Sequence, residues 1–382
     1  MRQTARTAFI AEYRKETNTD MSLEVNGISK QYGNFTALHP LSFTLSEPGV
    51  YALLGTNGAG KTTAIRIILG MLSRNSGEVL WNGKALSPVT EKVGYLAEER
   101  GLYPKYKISE QLTYFAKLRG MRSADIEKSL AYWFKRLELS GYEDKRAEQL
   151  SKGNQQKVQL VAALVADPEL IILDEPLSGL DPVNADLFKS VINEQIDKKK
   201  YIIMSCHQMP VIEEFCKDIT ILHHGTAVLQ GDLNKIKKSY GRVNLSVKCD
   251  GDVLPLAAQC GLVPETITPD KLTFKIQSEE QAKSLLKMIV DSGMPLVRYE
   301  LREPSLHEIF VENIERADKE AGVTRRENRY IRLEKRICFY FQTDGKVEGI
   351  QGKLGNHHCA CFCNCTSCWS SPCAYRKPVN VG

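Results

Sequence analysis

Residues 55–63 read GTNGAGKTT. Gly55, four residues, then Gly60, Lys61 and Thr62 give the spacing of a phosphate-binding loop, and the apolar run Val50, Tyr51, Ala52, Leu53, Leu54 before it predicts a buried strand. Gly55, Gly58 and Gly60 let the backbone turn tightly and aim its N–H groups inward. Lys61 brings a point charge to the β and γ phosphates of a nucleotide, and Thr62 a hydroxyl to Mg2+. The apolar-periodic stretch from Thr63 to Leu72 predicts a helix whose N-terminus favours anions. Strand, loop and helix in that order argue against a chance glycine-rich turn.

At 382 residues the chain is long enough for two domains with real cores. The net charge of +5 is small and dispersed, and it gives no argument for a nucleic-acid partner. No stretch approaches the ~18 uninterrupted apolar residues of a membrane span, and the first residues lack the apolar core of a secretion signal. The expected location is therefore cytosolic unless a partner holds the protein elsewhere. Of the 11 cysteines, Cys206, Cys216, Cys249 and Cys260 are scattered as in a reduced protein, whereas six lie between Cys359 and Cys373.

Residues 1–20 mix Arg2, Arg6, Arg14 and Lys15 with Glu12, Glu16 and Asp20, which reads as an upstream extension rather than a transit peptide. Leu23, Val25 and Ile28 predict a first strand that ends near Tyr32 and Gly33. Short strands follow over 77–80 and 93–96, joined by a turn at Asn82 and Gly83. Over 104–147, Leu112, Phe115, Leu118 and Leu130, Trp133, Phe134, Leu137 recur at helical spacing, so the aromatic stripe reads as the core of a helical insert.

Leu150 to Gln156 opens a further helix. Leu170, Ile171, Ile172, Leu173, Asp174, Glu175 then describe a parallel strand that delivers two carboxylates at its C-terminal end, where open α/β sheets bind ligands. Asp174 can hold the hydration shell of Mg2+, and Glu175 can polarise water for attack on a γ phosphate. Ser178 to Pro182 make a tight turn. A strand over 201–205 leads to His207, whose place after the phosphate loop and the acid pair makes it a candidate contact for the γ phosphate. Residues 219–222 and 227–229, around His224 and Gly225, predict a closing hairpin.

With these motifs in order, residues 22–235 resemble the nucleotide-binding subunit of an ABC transporter. LSKGNQQK (150–157) is the most specific part, because it resembles the ABC signature while phosphate loops occur in many unrelated ATPases and kinases. The resemblance implies an α/β fold, a P-loop NTPase of the ABC type with a helical subdomain over about 104–165. It implies ATP and Mg2+ as cofactors. Tyr32 would stack on adenine; Gly55 to Thr63, including Asn57, Gly58, Gly60, Lys61, Thr62 and Thr63, would bind phosphates and, through Thr62 with Asp174, the metal. Glu175 would be the catalytic base and His207 the switch histidine. Ser178 to Asp181 would link two subunits, and Ser151 and Gly153 would close on the ATP of the opposite subunit in a head-to-tail homodimer. The remaining partner would be a membrane permease, placing the protein on the cytoplasmic face of the membrane.

The sequence departs from the family in places. Glu98 stands where most members have glutamine, Lys152 and Asn154 replace glycine and glutamine in the signature, and Thr56 replaces a frequent proline. Glu98 can still ligate a hydrated metal. The string YLAEERGLYPK (95–105) resembles bacterial sodium-efflux ATPases and implies export, of sodium ions or a drug-like substrate. The alternative is a soluble ABC-class ATPase acting on the ribosome or nucleic acid. Its members usually carry two cassettes or a long coiled coil, and neither is present in this sequence.

From Gly241 alternating strands and a helix over 282–290 predict a small α+β domain over 241–316, ending in a helix capped by Ser305 and Glu308. PSLHEIFVE (304–312) resembles the accessory domain of the same exporter subgroup. The expected division is thus 1–20, 21–240, 241–316 and a tail over 317–382 that is expected to be disordered. The run HHCACFCNCTSCWSSPC (357–373) admits a zinc or copper site, but only Cys365 and Cys368 show CxxC spacing. A frameshift accounts for it better. Asn, His and Cys codons end in a pyrimidine; shifted by one base, that pyrimidine becomes the second base of each codon, and uracil there turns 356–369 into a run of Ile, Val, Leu and Phe ending in Gly. That is most of a membrane helix, as expected where a permease gene is read out of frame.

Overall fold

The computed structural model describes residues 21–87, 93–98, 101–207, 209–268 and 271–322. The N-terminal extension and the cysteine-rich run, with both of its readings, lie outside the described residues.

A hairpin of β1 (Leu23–Tyr32) and β2 (Phe35–Leu45) precedes the phosphate-loop strand. Leu23, Val25 and Ile28 are all buried although their spacing changes from two to three, because the β1–β2 register shifts between Val25 and Ile28 as at a bulge. Then come β3 (Gly49–Gly55), α1 (Lys61–Ile68), β4 (Ser76–Trp81), β5 (Lys84–Ala85) and β6 (Val93–Leu96). The expectation that the turn at Asn82 and Gly83 joins the strands over 77–80 and 93–96 is corrected. That turn, with φ of 53° and 72°, connects β4 to β5, whereas β6 pairs with a strand far ahead in sequence.

The helical part comprises α2 (Ile108–Leu118), α3 (Ser123–Arg136) and α4 (Lys152–Leu164). Leu112, Trp133, Phe134 and Leu137 are buried as the periodicity predicts, but Leu118 is 65 % exposed, along with Tyr103, Tyr106 and Tyr114. Of the aromatic stripe, Trp133 and Phe134 are core and Phe115 is half-buried, so the exposed member of the predicted pattern is Leu118. Next follow β7 (Leu170–Asp174), α5 (Pro182–Asp197), β8 (Tyr201–Cys206), α6 (Met209–Phe215), the hairpin β9 (Cys216–His223) and β10 (Thr226–Asp232), and α7 (Leu233–Tyr240).

Six of these strands form one sheet in the order β10-β9-β3-β8-β7-β6, parallel except for β10, and β2-β1-β4-β5 form an antiparallel sheet. The central strands are covered on both faces, which is why they read as unbroken apolar runs. In β3, Val50, Ala52 and Leu54 join the core shared with the helical part, while Tyr51 and Leu53 join the core under α1 and the antiparallel sheet. Residues 170–173 and 201–204 divide their side chains between the same two cores.

The remaining elements are β11 (Asn244–Cys249), α8 (Leu254–Gln259), β12 (Pro264–Thr268), β13 (Lys271–Lys275), α9 (Glu279–Asp291), β14 (Leu296–Arg302) and α10 (Leu306–Glu320). Here an antiparallel sheet, ordered β12-β13-β11-β14, packs Leu245, Val247 and Phe274 against Leu285 and Ile289 of α9. Helix α10 starts at the expected capping box, Ser305 with Glu308. It runs past 316, where the tail was expected to begin, and buries Leu306 and Ile314 in the ATPase core instead of the small sheet. Glu308 fixes this junction, accepting two 2.8 Å bonds from the Arg302 guanidinium and one of 2.9 Å from Asn244.

Bonding to Arg302 outweighs burial and holds the Glu308 pKa at about 2, against an ordinary 4.5. A depressed carboxylate contributes stability that is fully present above the unfolded pKa and is lost as pH falls through the folded one. Glu308→Gln is therefore expected to lower the melting temperature at pH 7 and to flatten its fall between pH 4.5 and about 2. Thermal unfolding followed across that range tests this, and parallel curves for the two proteins would reject it.

Candidate active site

The carboxyl ends of β3, β7 and β8 converge, because Leu54 pairs with Cys206 and Asp174 with Ser205 in parallel register. Past the end of β3 the chain must turn at once. Gly55 has φ 156°, and a Cβ there would sit 2.5 Å from the Leu222 carbonyl oxygen. Gly60 precedes α1 with φ 102°, and its Cβ would lie 2.9 Å from the Ala37 oxygen. Only glycine fits either position. Lys61 opens α1, and its Nζ donates to the carbonyls of Gly55 (2.8 Å) and Thr56 (3.3 Å).

Opposite lies the acid pair. Asp174 is fully buried and Glu175 is 5 % exposed. Glu175 takes φ 50°, a left-handed conformation uncommon for a side chain of its size. Ser205 holds it there: the Glu175 amide donates to the Ser205 hydroxyl (2.9 Å), and that hydroxyl donates to Asp174 Oδ1 (2.5 Å). Glu175 Oε1 lies 3.3 Å from Lys61 Nζ, and Oε2 lies 2.7 Å from His207 Nδ1. Burial pushes the Asp174 carboxyl above its ordinary range, opposed by hydrogen bonds from Ser205 and Thr62. Asp174 Oδ2 and Glu175 Oε1 are buried with no hydrogen-bond partner among the described residues.

Two buried carboxylates facing one lysine leave negative charge uncompensated. A hard divalent cation that takes oxygen ligands fits that donor set, with the Thr62 hydroxyl alongside. The residues present are thus suited to Mg2+.

Lys61, Thr62 and Glu175 line a cleft of about 580 Å³ that also takes in Asn57, Gly58, Thr63 and Glu98, whereas Asp174 and His207 are not among its lining residues. Tyr32 and Phe35, cross-strand partners at the β1–β2 turn and both largely exposed, line it too. Two flat rings at the mouth suit an aromatic base. Sequence reasoning missed Phe35 as a site residue, although its place across the turn from Tyr32 is a readable signal. It also missed Ser205, for which no local signal exists.

Ser151, Gly153 and Asp181 do not line this cleft. The structure brings them together elsewhere. Ser151 caps α4, accepting from the Asn154 amide, and Asp181 caps α5, accepting from the Asn184 amide (2.9 Å) and side chain (2.5 Å). Asn184 Nδ2 would in turn lie 3.2 Å from a Cβ on Gly153. Bonds from Asn184 hold the Asp181 carboxyl below its ordinary range.

Removing the Ser205 hydroxyl deprives Asp174 of a buried partner and leaves the Glu175 amide only the Ser205 carbonyl, at 3.2 Å. Ser205→Ala is expected to cost roughly 1–3 kcal/mol, read from urea unfolding; an unchanged midpoint would mean that the strained Glu175 backbone is held by something else.

Residues 38–178 match the ABC transporter family, and residues 231–314 match the C-terminal domain of DrrA1-3-like ATP-binding proteins. An ABC transporter ATP-binding protein of Bacillus subtilis (strain 168), YhaQ, described as uncharacterized, is 41% identical over 293 residues, covering 76% of this chain and 98% of that protein. The Nod factor export ATP-binding protein I of Sinorhizobium fredii (strain NBRC 101917 / NGR234) is 25% identical over 305 residues, 77% of this chain and 86% of that protein. A solved structure of the ATP binding subunit of an ABC transporter is 32% identical with a TM-score of 0.54, covering 57% of this chain and 93% of that one. Phosphate loop, acid pair and signature helix thus recur in a known setting, and the chain belongs to the ABC transporter ATP-binding proteins, ATPases that pair with a membrane permease, here with a DrrA-like C-terminal domain.

Proposed function

We propose that this ATPase drives export through a separate permease, with Glu175 as the base of hydrolysis. The observation that carries the assignment is the position of Glu175: buried, aimed by Ser205, and touching Lys61 on one oxygen and His207 on the other. Lys61 and the loop amides bind the phosphates. Asp174 and Thr62 would hold Mg2+, which would supply neutralisation of phosphate charge. Glu175 Oε2 accepts the proton of the attacking water, and His207 fixes that carboxylate and reaches the γ phosphate. Glu98 lines the same cleft as Thr62 and Glu175, and Tyr32 stacks on adenine.

Ser151, Gly153 and Asp181 form a surface outside their own cleft. This supports a homodimer in which each copy closes the other's nucleotide site head to tail. Exposed Tyr103, Tyr106, Tyr114 and Leu118 give the helical part an apolar face suited to a permease. No helix among the described residues is long and apolar enough to cross a membrane, which agrees with a peripheral subunit on the cytoplasmic side. Export is supported by the Nod factor relative and by the string over 95–105. We extend the proposal to sodium ions or a drug-like molecule as the substrate, which the ATPase itself does not hold, and transport assays on the assembled exporter would decide between them.

Glu175→Gln is expected to bind ATP normally while turnover falls on the order of a hundredfold or more. Retained turnover would remove Glu175 from the base role. Lys61→Ala is expected to weaken ATP binding itself, since the phosphates lose their main cation; an unchanged ATP affinity would count against that role. Stimulation of the wild-type ATPase by its copurified permease would support coupling to transport, and a rate indifferent to any membrane protein would favour a soluble ABC ATPase.

A further inference from the structure

The β9–β10 hairpin ends at His223 and His224, and α10 brings Asp318 against them. We infer that His223, His224 and Asp318 form a binding site for a divalent transition cation of the zinc class. One ring nitrogen of each histidine and one carboxylate oxygen of Asp318 lie within 4.8 Å of one another. Tetrahedral zinc with bonds of about 2.0–2.2 Å needs donors about 3.3 Å apart, so small side-chain rotations complete the set.

Three further features favour a ligand over a plain structural bond. His223 Nε2 lies 2.7 Å from Asp318 Oδ1, so two of the three donors already face each other. The two imidazole rings are 4.1 Å apart between centroids, close enough to keep one nitrogen of each in the same 4.8 Å group. His224 is exposed, which leaves an open side for entry and for a water as the fourth ligand. Two imidazoles and one carboxylate suit a borderline cation better than Mg2+ or Ca2+, which favour all-oxygen sets.

The site's position gives it consequences. Gly225, next in the turn, donates its amide to the Ala59 oxygen of the phosphate loop (3.1 Å) and accepts from the His39 amide (2.8 Å). A cation held here clamps α10 to the hairpin that backs the loop, independently of whether Glu175 is the base.

Equilibrium dialysis of the full chain against micromolar free Zn2+ tests the proposal, comparing wild type with His224→Asn and Asp318→Asn. Binding by the tail thiols is common to all three and cancels. The expected result is one equivalent of Zn2+ fewer per chain in each variant. His224 has φ 46°, which asparagine tolerates, so this exposed substitution leaves the fold intact even if the buried Asp318 variant unfolds. Equal stoichiometry in wild type and His224→Asn would overturn the site. With Co2+ as the probe, loss of visible bands without loss of thiolate charge transfer is the matching expectation, and an unchanged visible spectrum would also overturn it.

Discussion

The parallel register of three strands governs everything at the nucleotide cleft. Because Asp174 stands opposite Ser205, and Leu54 opposite Cys206, three chain segments far apart in sequence reach the carboxyl edge of the sheet at one level. The phosphate loop leaves from one strand end, the acid pair from the second and His207 from the third. A slip of one residue in β8 would turn Ser205 to the other face of the sheet. The hydroxyl that bonds the Asp174 carboxylate and the Glu175 amide would be lost, and Ile203 would leave its core. Apolar burial on both faces therefore enforces the register on which the polar site depends.

Charge in the cleft is deliberately unbalanced. Lys61 supplies one positive charge to two buried carboxylates, and burial drives Asp174 towards its neutral form. Uncompensated buried charge is costly. The cost is met by the fold as a whole, through two cores that together enclose the sheet, and a divalent cation at the carboxylates would relieve it. The backbone strain at Glu175 is held by the same fold.

Much of this was legible in the sequence, and the reason is locality. The phosphate loop occupies nine residues, the acid pair two, and the signature helix carries its own cap, so each is complete within one window. The capping box at Ser305 and Glu308 is local in the same way. Ser205 was not legible, because its significance lies in Asp174, 31 residues away across a strand pair. Nor was the partition of β4 and β6 between two sheets. A turn signal at Asn82 and Gly83 shows that the chain reverses there and leaves open which strand it pairs with next. Leu118 follows helical periodicity, yet periodicity cannot tell a position turned to the protein's own core from one turned outward. The His223–Asp318 contact spans 95 residues and was invisible for the same reason.

The return of α10 changes what the small sheet can do. The chain leaves the ATPase through α7 and comes back through α10, and both helices are tied to the same ground. Glu213 of α6 pairs with Lys237 of α7 and accepts from the Leu306 amide at the start of α10 (3.3 Å), while the Asn313 side chain of α10 donates to the Tyr240 hydroxyl (3.0 Å). A domain attached by one linker would move freely. This one is held at both ends, and both attachments meet at α6 through Glu213, while the contact of Asn313 with the end of α7 ties them to each other.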